Sequence, residues 1–502
     1  QVEPHLSVTG ACSAEWVPIR SKTDPAFMFA LIHVLLHEAK RNQLDLPFLK
    51  SRSSSPYLVA PYGFYLRDPA TQKPLIWDLK QNAAVPFDTK DTDPALEGNF
   101  KVSGVEIGPD DKTWQHHGIT CQPAFAKLVK HVAPYSPEWA AEICDVPVET
   151  VRQTALDFLD HAHVGETIEI DGREMPFRPV AISLGKTVSN GWGGYECAWA
   201  RTLLAVLIGG LEVPGGTLGT TVRLNRPADN RWSSVVPGAD GFMNYPMNPT
   251  RKDEFQDQSK SRHAHQTLIP LASNSPWSQA LGPTHLAWMA QKEGFDNLPK
   301  PTQPDVWFVY RTNPAISFWD TGAVTEVIAN FPFTVCFAYT MDETNHMADV
   351  LLPECTDLEG LQLIRIGGSK YVEQFWEHQG FALREPASEP MGEARDFTWI
   401  TTQIAKGAGV LEEYNNAINS GAAGVRLFGE NFDHRIDPTV EHSVEEIWEQ
   451  SCRAASAELT DGAENQGLDY FREHGFRTAP FPKERWYLYP AIVEKELRFE
   501  LP

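Results

Sequence analysis

The run Val306-Trp307-Phe308-Val309-Tyr310 is apolar without interruption and ends at once in Arg311-Thr312-Asn313-Pro314. A short run of this kind, closed by a turn, reads as a strand. The helix-like segment Ala323 to Asn330 and a second apolar run, Phe333 to Phe337, complete a β-α-β step. Strands joined through a helix lie parallel, so this step predicts an open α/β sheet. Ligands of such sheets bind where the strands end, because the loops there carry free N–H groups and point helix N-termini outward.

The first 225 residues show the same alternation. Pro25 to Arg41 carries Phe27, Phe29, Ala30, Ile32, Leu35 and Leu36 at helical spacing, opened by Thr23-Asp24-Pro25, a capping side chain followed by proline. Helices are expected at Pro137 to Ile143, Val148 to Ala162 and Ala198 to Ile208, the last ending at Gly209-Gly210. Val180 to Leu184 reads as a strand running into Gly185-Lys186-Thr187. A hairpin-like patch, Phe64 to Val105, interrupts the pattern. From Arg223 to about Lys300 periodicity vanishes, as in a long functional or partner-covering loop. After Gly407 the chain is polar and acidic through Gln466, the composition of a surface layer. Trp486 to Tyr489 and Leu497 to Leu501 look strand-like.

A chain of 502 residues, 42% of them hydrophobic, has material for two or three domains. Its 43 Lys and Arg against 66 Asp and Glu give a net charge of -23, a field that repels nucleic acid and anionic membranes. Seven cysteines, none in a C-x-x-C spacing, argue against a disulfide framework, a zinc knuckle or a cysteine-ligated cluster within these residues. No apolar run approaches the roughly 20 residues of a membrane span. The chain opens at Gln1 without methionine or basic leader, and both ends read as cuts through a longer protein.

Four strand-end regions carry candidate ligand-binding residues. Glu3, in Val2-Glu3-Pro4, is placed to hydrogen-bond a ribose diol. Thr23 and Asp24 precede the Pro25 helix. Gly185-Lys186-Thr187 resembles a phosphate loop in part, but the glycine required five residues earlier is Val180, so that motif fails. The two strands from Val306 and Phe333 deliver the fourth set, Thr312 and Asn313 from one, Thr340, Asp342 and Thr344 from the other. Asp349 follows, at the head of the apolar run Val350 to Pro353.

Asn313-Pro314 after a strand, then Glu343-Thr344 and Ala348-Asp349-Val350-Leu351-Leu352-Pro353, resembles the large subunit of molybdopterin oxidoreductases of the dimethyl sulfoxide reductase type. Val2-Glu3-Pro4, Thr9-Gly10-Ala11, Thr23-Asp24, Gly209-Gly210, Pro214-Gly215-Gly216, Glu359-Gly360 and Glu389 to Arg395 fall in that family's order. The resemblance implies two pterin guanine dinucleotides flanking one molybdenum or tungsten ion, each held by one α/β half. Glu3, Pro4, Thr23, Asp24, Gly185, Lys186, Thr187 and Gly210 would then serve one dinucleotide. Thr312, Asn313, Thr340, Asp342, Thr344, Asp349 and Asp396 would serve the other.

It further implies an α/β fold of two related Rossmann-like domains with mainly parallel sheets and long irregular insertions. The first dinucleotide-binding domain would span 1–225, an insertion or linker 226–300, the second domain 301–455, and a connector into a truncated C-terminal β-barrel 456–502. A [4Fe-4S] cluster and the metal ligand would precede Gln1 or follow Pro502, so no metal ligand or catalytic residue is assigned. Implied partners are a small-molecule substrate, a membrane anchor subunit, and an iron–sulfur subunit for electron transfer, around a soluble bacterial or archaeal polypeptide. The wording of Phe337 to His346 and of Trp486 to Pro490 is similar to phenylacetyl-CoA:acceptor oxidoreductases. Two alternatives stand beside it: a non-catalytic scaffold like the large iron–sulfur subunit of respiratory complex I, and a sulfur-compound reductase. Departures from the family pattern fall at Ser21-Lys22, Ala338 and Asp342.

Overall fold

The computed structural model describes residues 1–108, 112–185, 188, 194–218, 235–243, 305–317, 320–366 and 378–501. They divide into two compact units. One comprises the described residues up to 243 together with 487–501, and the other comprises residues 305–486. The stretch 456–502, read from the sequence as one connector, is therefore shared between them.

In the first unit Val2–Glu3 and Val17–Pro18 pair in parallel, Val2 opposite Val17 and Glu3 opposite Pro18. The helix Asp24–His33 follows and passes into a π-helical turn, Val34–Glu38. A helix apolar on nearly every side has no face to give to water. This one packs among the helices Ala124–Val132, Pro137–Cys144, Val148–Asp160 and Gly194–Leu207. Ile32, Leu35, Leu49, Phe125, Ala155 and Leu204 fill the shared core, the larger of them contributing roughly 1.5–3 kcal/mol each on burial.

Two local expectations are corrected here. Thr23 does not cap the helix: its hydroxyl donates to the Arg20 carbonyl at 2.6 Å, which a turn with Lys22 at φ 66° brings close. Val180 to Leu184 is no strand, because no neighbouring strand is there to pair with it among the described residues. Val180, Ile182 and Leu184 instead lay alternate side chains on the helical core.

An antiparallel sheet interrupts the helices. Its strands lie in the order Leu58–Val59, Thr113–Pro123, Phe100–Ile107, Leu66–Arg67, and a separate hairpin joins Leu75–Asp78 to Ala83–Pro86. The segment 487–501 then returns to close this unit. The Phe499 amide donates to the Arg52 carbonyl at 2.8 Å, the Leu501 amide to Ser54 Oγ at 2.8 Å, and Tyr65 Oη to the Leu501 carbonyl at 3.1 Å. Trp486 to Tyr489 is not strand: a 3₁₀ turn, Lys483–Trp486, leads to the helix Tyr489–Glu494, with Pro490 at its start.

Beneath the bundle lies a buried ion pair. Arg178 donates to Asp45 Oδ2 at 2.8 Å and to the carbonyls of His163, Glu166, Phe177 and Ile208. Asp45 Oδ1 meanwhile caps the helix Leu46–Arg52 through the Phe48 amide. Gly209 ends its helix at φ 64°, and a Cβ there would run into the Asp45 carboxylate, so both glycine's backbone freedom and its lack of a side chain are used.

The second unit is built on a parallel sheet, Val306–Tyr310, Phe333–Ala338 and Val350–Pro353 in that order. Trp307 packs with Ala315, Val324 and Ile328 on one face, while Val335 and Phe337 meet Ile400 and Phe397 on the other. Beyond it lie an antiparallel sheet, Gln362–Ile366, His378–Arg384 and Phe476–Pro480, and the helices Leu411–Asn419, Val444–Leu459 and Leu468–His474. The polar stretch after Gly407 is thus more than a surface layer. Ile418, Leu427, Ile447, Trp448, Cys452 and Phe471 recur on inward faces and form a second core.

The architecture is mixed α/β with several small sheets. Among the described residues the sheets with parallel strands are those at Val2–Pro18 and Val306–Pro353, the other parallel pairings being isolated bridges, which corrects the expectation of mainly parallel sheets. The hairpins that outnumber them need only short local turns. All seven cysteines are unpaired and all but Cys12 are buried, with burial pushing the Cys197 thiol up to about 12. No helix among the described residues is long and apolar enough to cross a membrane.

Candidate functional site

Parallel strands bring their carboxyl ends to one edge, and in the second unit that edge is crowded with polar groups. Asn313 follows the first strand. Its Nδ2 donates to Glu343 at 2.7 Å, holding that carboxyl below the usual range, and its Oδ1 accepts from the Thr344 amide at 3.3 Å and hydroxyl at 2.8 Å. Thr344, fully buried, also accepts the Ala315 amide at 3.1 Å. Asp342 accepts the Asn345 amide at 2.8 Å, and Asn345 Nδ2 donates to the Thr340 carbonyl at 2.8 Å. The structure therefore brings Thr312, Asn313, Thr340, Asp342 and Thr344 together. The Thr312 and Thr340 hydroxyls are exposed and make no hydrogen bond among the described residues.

Asp396 joins the same edge by a different route. Glu354 and Arg395 form a parallel bridge just past Pro353, which sets Asp396 at the start of the helix Phe397–Gly407. One of its oxygens caps the Thr398 amide at 2.8 Å. Asp349 does not join. It precedes the third strand, so it lies at the opposite edge, where Oδ2 accepts the Thr334 amide at 2.8 Å. Five steps along a strand separate the two edges, about 17 Å. Its carboxylate is spent on fixing the register of two strands, because an aspartate before an apolar strand needs a nearby donor.

Sequence reasoning missed a charged group at this edge. Arg311, the first residue after Tyr310, takes φ 47° and donates to Glu354 at 2.7 Å, with Asp357 at 3.6 Å. Asp357 also pairs with Arg384 at 2.7 Å. The Glu354 side chain is 1% exposed, and its Oε2 has no partner among the described residues. A non-glycine residue at positive φ beside an unsatisfied buried carboxylate is the kind of strain that collects at binding sites. The signal was present in the sequence: Arg311 and Glu354 are each the residue immediately after a parallel strand.

In the first unit, Glu3 ends the first of the two parallel strands and the Thr23-Asp24 pair follows the second. The Glu3 carboxylate accepts the Ser7 amide at 2.8 Å and the Ser7 hydroxyl at 2.9 Å. Ser7 in turn caps the helix Val8–Cys12 through Gly10. A Cβ on Gly10 would collide with the Glu3 carboxylate, so the glycine leaves it room. The Asp24 carboxylate makes no hydrogen bond among the described residues. Pro4 is exposed beside Glu3, and Gly185 is exposed, its carbonyl accepting the Val188 amide. Lys186 and Thr187 lie outside the described residues. Gly210 is buried with both backbone groups engaged, its amide donating to Ala205 and its carbonyl accepting from Thr217, so it shapes a turn.

The Ser7 donors hold the Glu3 carboxyl below the ordinary glutamate range. A lowered folded value means the carboxylate's contribution is complete above about 4.3. It is lost as pH falls below that and through the folded value. A carboxyl-carbon NMR titration should place Glu3 lower than an unpaired glutamate, and Ser7→Ala should move it upward. An unchanged Glu3 titration in that variant would contradict the hydrogen-bond assignment.

A family model described as molybdopterin oxidoreductase matches residues 2–407. The chain is 23% identical over 447 residues to a subunit of sulfite dehydrogenase from Allochromatium vinosum, an alignment covering 80% of this chain and 43% of that protein. It is 25% identical over 454 residues to the trimethylamine-N-oxide reductase of Haemophilus influenzae, covering 86% and 42%. With the alpha subunit of perchlorate reductase from Dechloromonas aromatica it shares 25% over 447 residues, covering 81% and 43%. The chain thus spans less than half the length of these curated relatives.

Proposed function

The chain belongs to the molybdopterin oxidoreductase family, and from that premise we propose that it is the cofactor-holding interior of a catalytic subunit for two-electron oxidation or reduction. The single observation that carries this is the carboxyl edge of the second unit, where Asn313, Asp342, Thr344 and Asp396 converge from separate strand ends.

The donor set fits a pterin guanine dinucleotide. Guanine offers N–H donors and ribose offers hydroxyls, both of which need acceptors, and Asp342 and Asp396 each use one carboxylate oxygen on a backbone amide and leave the other. Thr312 and Thr340 supply hydroxyls for phosphate oxygens, and Glu354 Oε2 is a buried acceptor awaiting a donor. In the first unit Asp24 has the same unengaged carboxylate, while Glu3 acts through Ser7 and Gly10 in shaping its loop. The two sheet edges, each with a helix following, are read as two related Rossmann-like dinucleotide sites. Gly185 would lie toward the phosphates of the first.

When bound, the pterin-held molybdenum or tungsten ion supplies the two-electron exchange. The chain's task is to bind, orient and shield that group. Sulfite dehydrogenase, trimethylamine-N-oxide reductase and perchlorate reductase are the names of relatives, and they favour a small oxyanion, sulfur or N-oxide substrate. Oxidation of the carbon beside a phenylacetyl-CoA-type thioester rests on sequence wording alone and ranks second. Because two of these relatives are named as subunits, an iron–sulfur partner and a membrane anchor belong to the same proposal, as does a [4Fe-4S] cluster outside this chain.

Metal analysis and acid hydrolysis of the full-length protein test the reading together. Molybdenum or tungsten near one atom per chain, with released guanine nucleotide, is expected. Asp342→Ala and Asp396→Ala should each lower the nucleotide content several-fold without unfolding the unit. Full occupancy in both variants would remove the second edge from the proposal, and a folded protein without metal or nucleotide would leave only the scaffold alternative.

A further inference from the structure

In the first unit a cavity of about 310 Å³ lies between the turn 87–94 and the segment 496–498, lined also by Lys50, Ser51 and Arg52. None of the strand-end residues discussed above lines it. Its charged groups are only partly paired. Lys50 meets Asp93 at 2.6 Å, Lys90 pairs with Glu496, and Asp88 pairs with Lys73. That leaves two guanidinium groups without a carboxylate partner among the described residues, Arg52 and Arg498.

Arg498 is fixed in place: it donates to the carbonyls of Lys50, Ser53 and Phe87 at 3.0, 3.1 and 3.2 Å and lies over the Tyr57 and Phe87 rings. The Arg52 side chain makes no hydrogen bond or ion pair among the described residues. Burial lowers the pKa of both arginines, and in Arg498 the neighbouring Arg52 adds to the effect, while Glu496 acts on both in the opposite sense and only partly offsets it. Two like charges held close and half out of water are costly unless a counter-charge arrives. The nearby carboxylates are engaged, apart from Asp91 on the rim.

We propose that this cavity is an anion site for a phosphoryl group, held by Arg52 and Arg498, with Lys90, which also pairs with Glu496, at the rim. A phosphoryl group spreads three or four acceptor oxygens tetrahedrally, enough to engage two guanidinium forks at once, whereas a carboxylate offers two in one plane. The Thr89 hydroxyl, on the same lining, supplies a further donor. The source is free phosphate or the phosphate ester of a larger molecule.

The test uses the full-length protein with inorganic phosphate and, separately, ADP, each against potassium chloride at matched ionic strength. Ligand binding to the folded state should raise Tm by about 2–4 °C. Amides of residues 87–94 and 496–498 should also gain protection from hydrogen exchange. A shift with phosphate identifies free phosphate as a sufficient ligand, and a shift with ADP alone identifies an ester. Arg52→Gln should abolish both the shift and the local protection while leaving the fold intact. Lys90→Gln, at an exposed position, should weaken binding severalfold and serves if Arg52→Gln proves unstable. No anion-dependent shift in the parent protein, or an equal shift with equal local protection in the variants, would overturn the site.

Discussion

Replacing Arg178 with methionine should cost the first unit about 3–5 kcal/mol, the loss usual when one partner of a buried ion pair is removed. Arg178 is 3% exposed, and its guanidinium satisfies Asp45 and the carbonyls of His163, Glu166, Phe177 and Ile208. Methionine matches much of its length but leaves the Asp45 charge without its partner. Asp45→Asn should cost less, because the amide oxygen can still cap the helix Leu46–Arg52 at Phe48. Urea unfolding followed by a probe in this unit checks both. A loss below about 1 kcal/mol for Arg178→Met would mean that the pair is bystander rather than keystone.

Thr344→Val should have the second-largest effect, about 2–4 kcal/mol, although it changes almost no volume. Valine removes the hydroxyl that accepts from the Ala315 amide and donates to Asn313. Ala315 is fully buried, so its N–H would be stranded, and a buried donor left unsatisfied costs about 1–3 kcal/mol. The second loss is geometric. Asn313 and Thr344 tie together the ends of two adjacent strands, so bound guanine nucleotide should fall together with stability. Thr344→Ser keeps the hydroxyl and should restore both. If serine and valine behave alike, the hydroxyl has no such role.

The second unit's parallel sheet was legible because Val306 to Tyr310 and Phe333 to Phe337 are apolar throughout and are separated by a helix, a pattern with few alternatives. The strand-end residues followed from that sheet, since carboxyl ends are fixed once strand direction is known. Asp349 failed by the same geometry: adjacency in sequence to Thr344 hid the fact that a loop had carried the chain back to the starting edge. The hairpin Thr167–Ile170 with Arg173–Pro176 went unread, although Asp171-Gly172, at φ 52° and 76°, is a strong turn signal. Val180 to Leu184 misled for the opposite reason. An alternating apolar segment looks the same whether it pairs with a strand or lies across helices, and only tertiary structure decides. The Arg311–Glu354 pair joins residues 43 apart, and periodicity carries no information about such partners.

The closing segment of the first unit has a consequence for the order of events at the ribosome. Leu501 bonds to Ser54 across 447 positions of chain. At about 5–20 residues per second, roughly 20–90 s pass between the emergence of one and the other. Throughout that interval the surface around Ser53, Ser54 and Tyr65 waits without the partner that will cover it. The second unit, assembled from residues 305–486, can finish while the first is still open. The first unit, begun earlier, can therefore close only after the residues of the second have emerged.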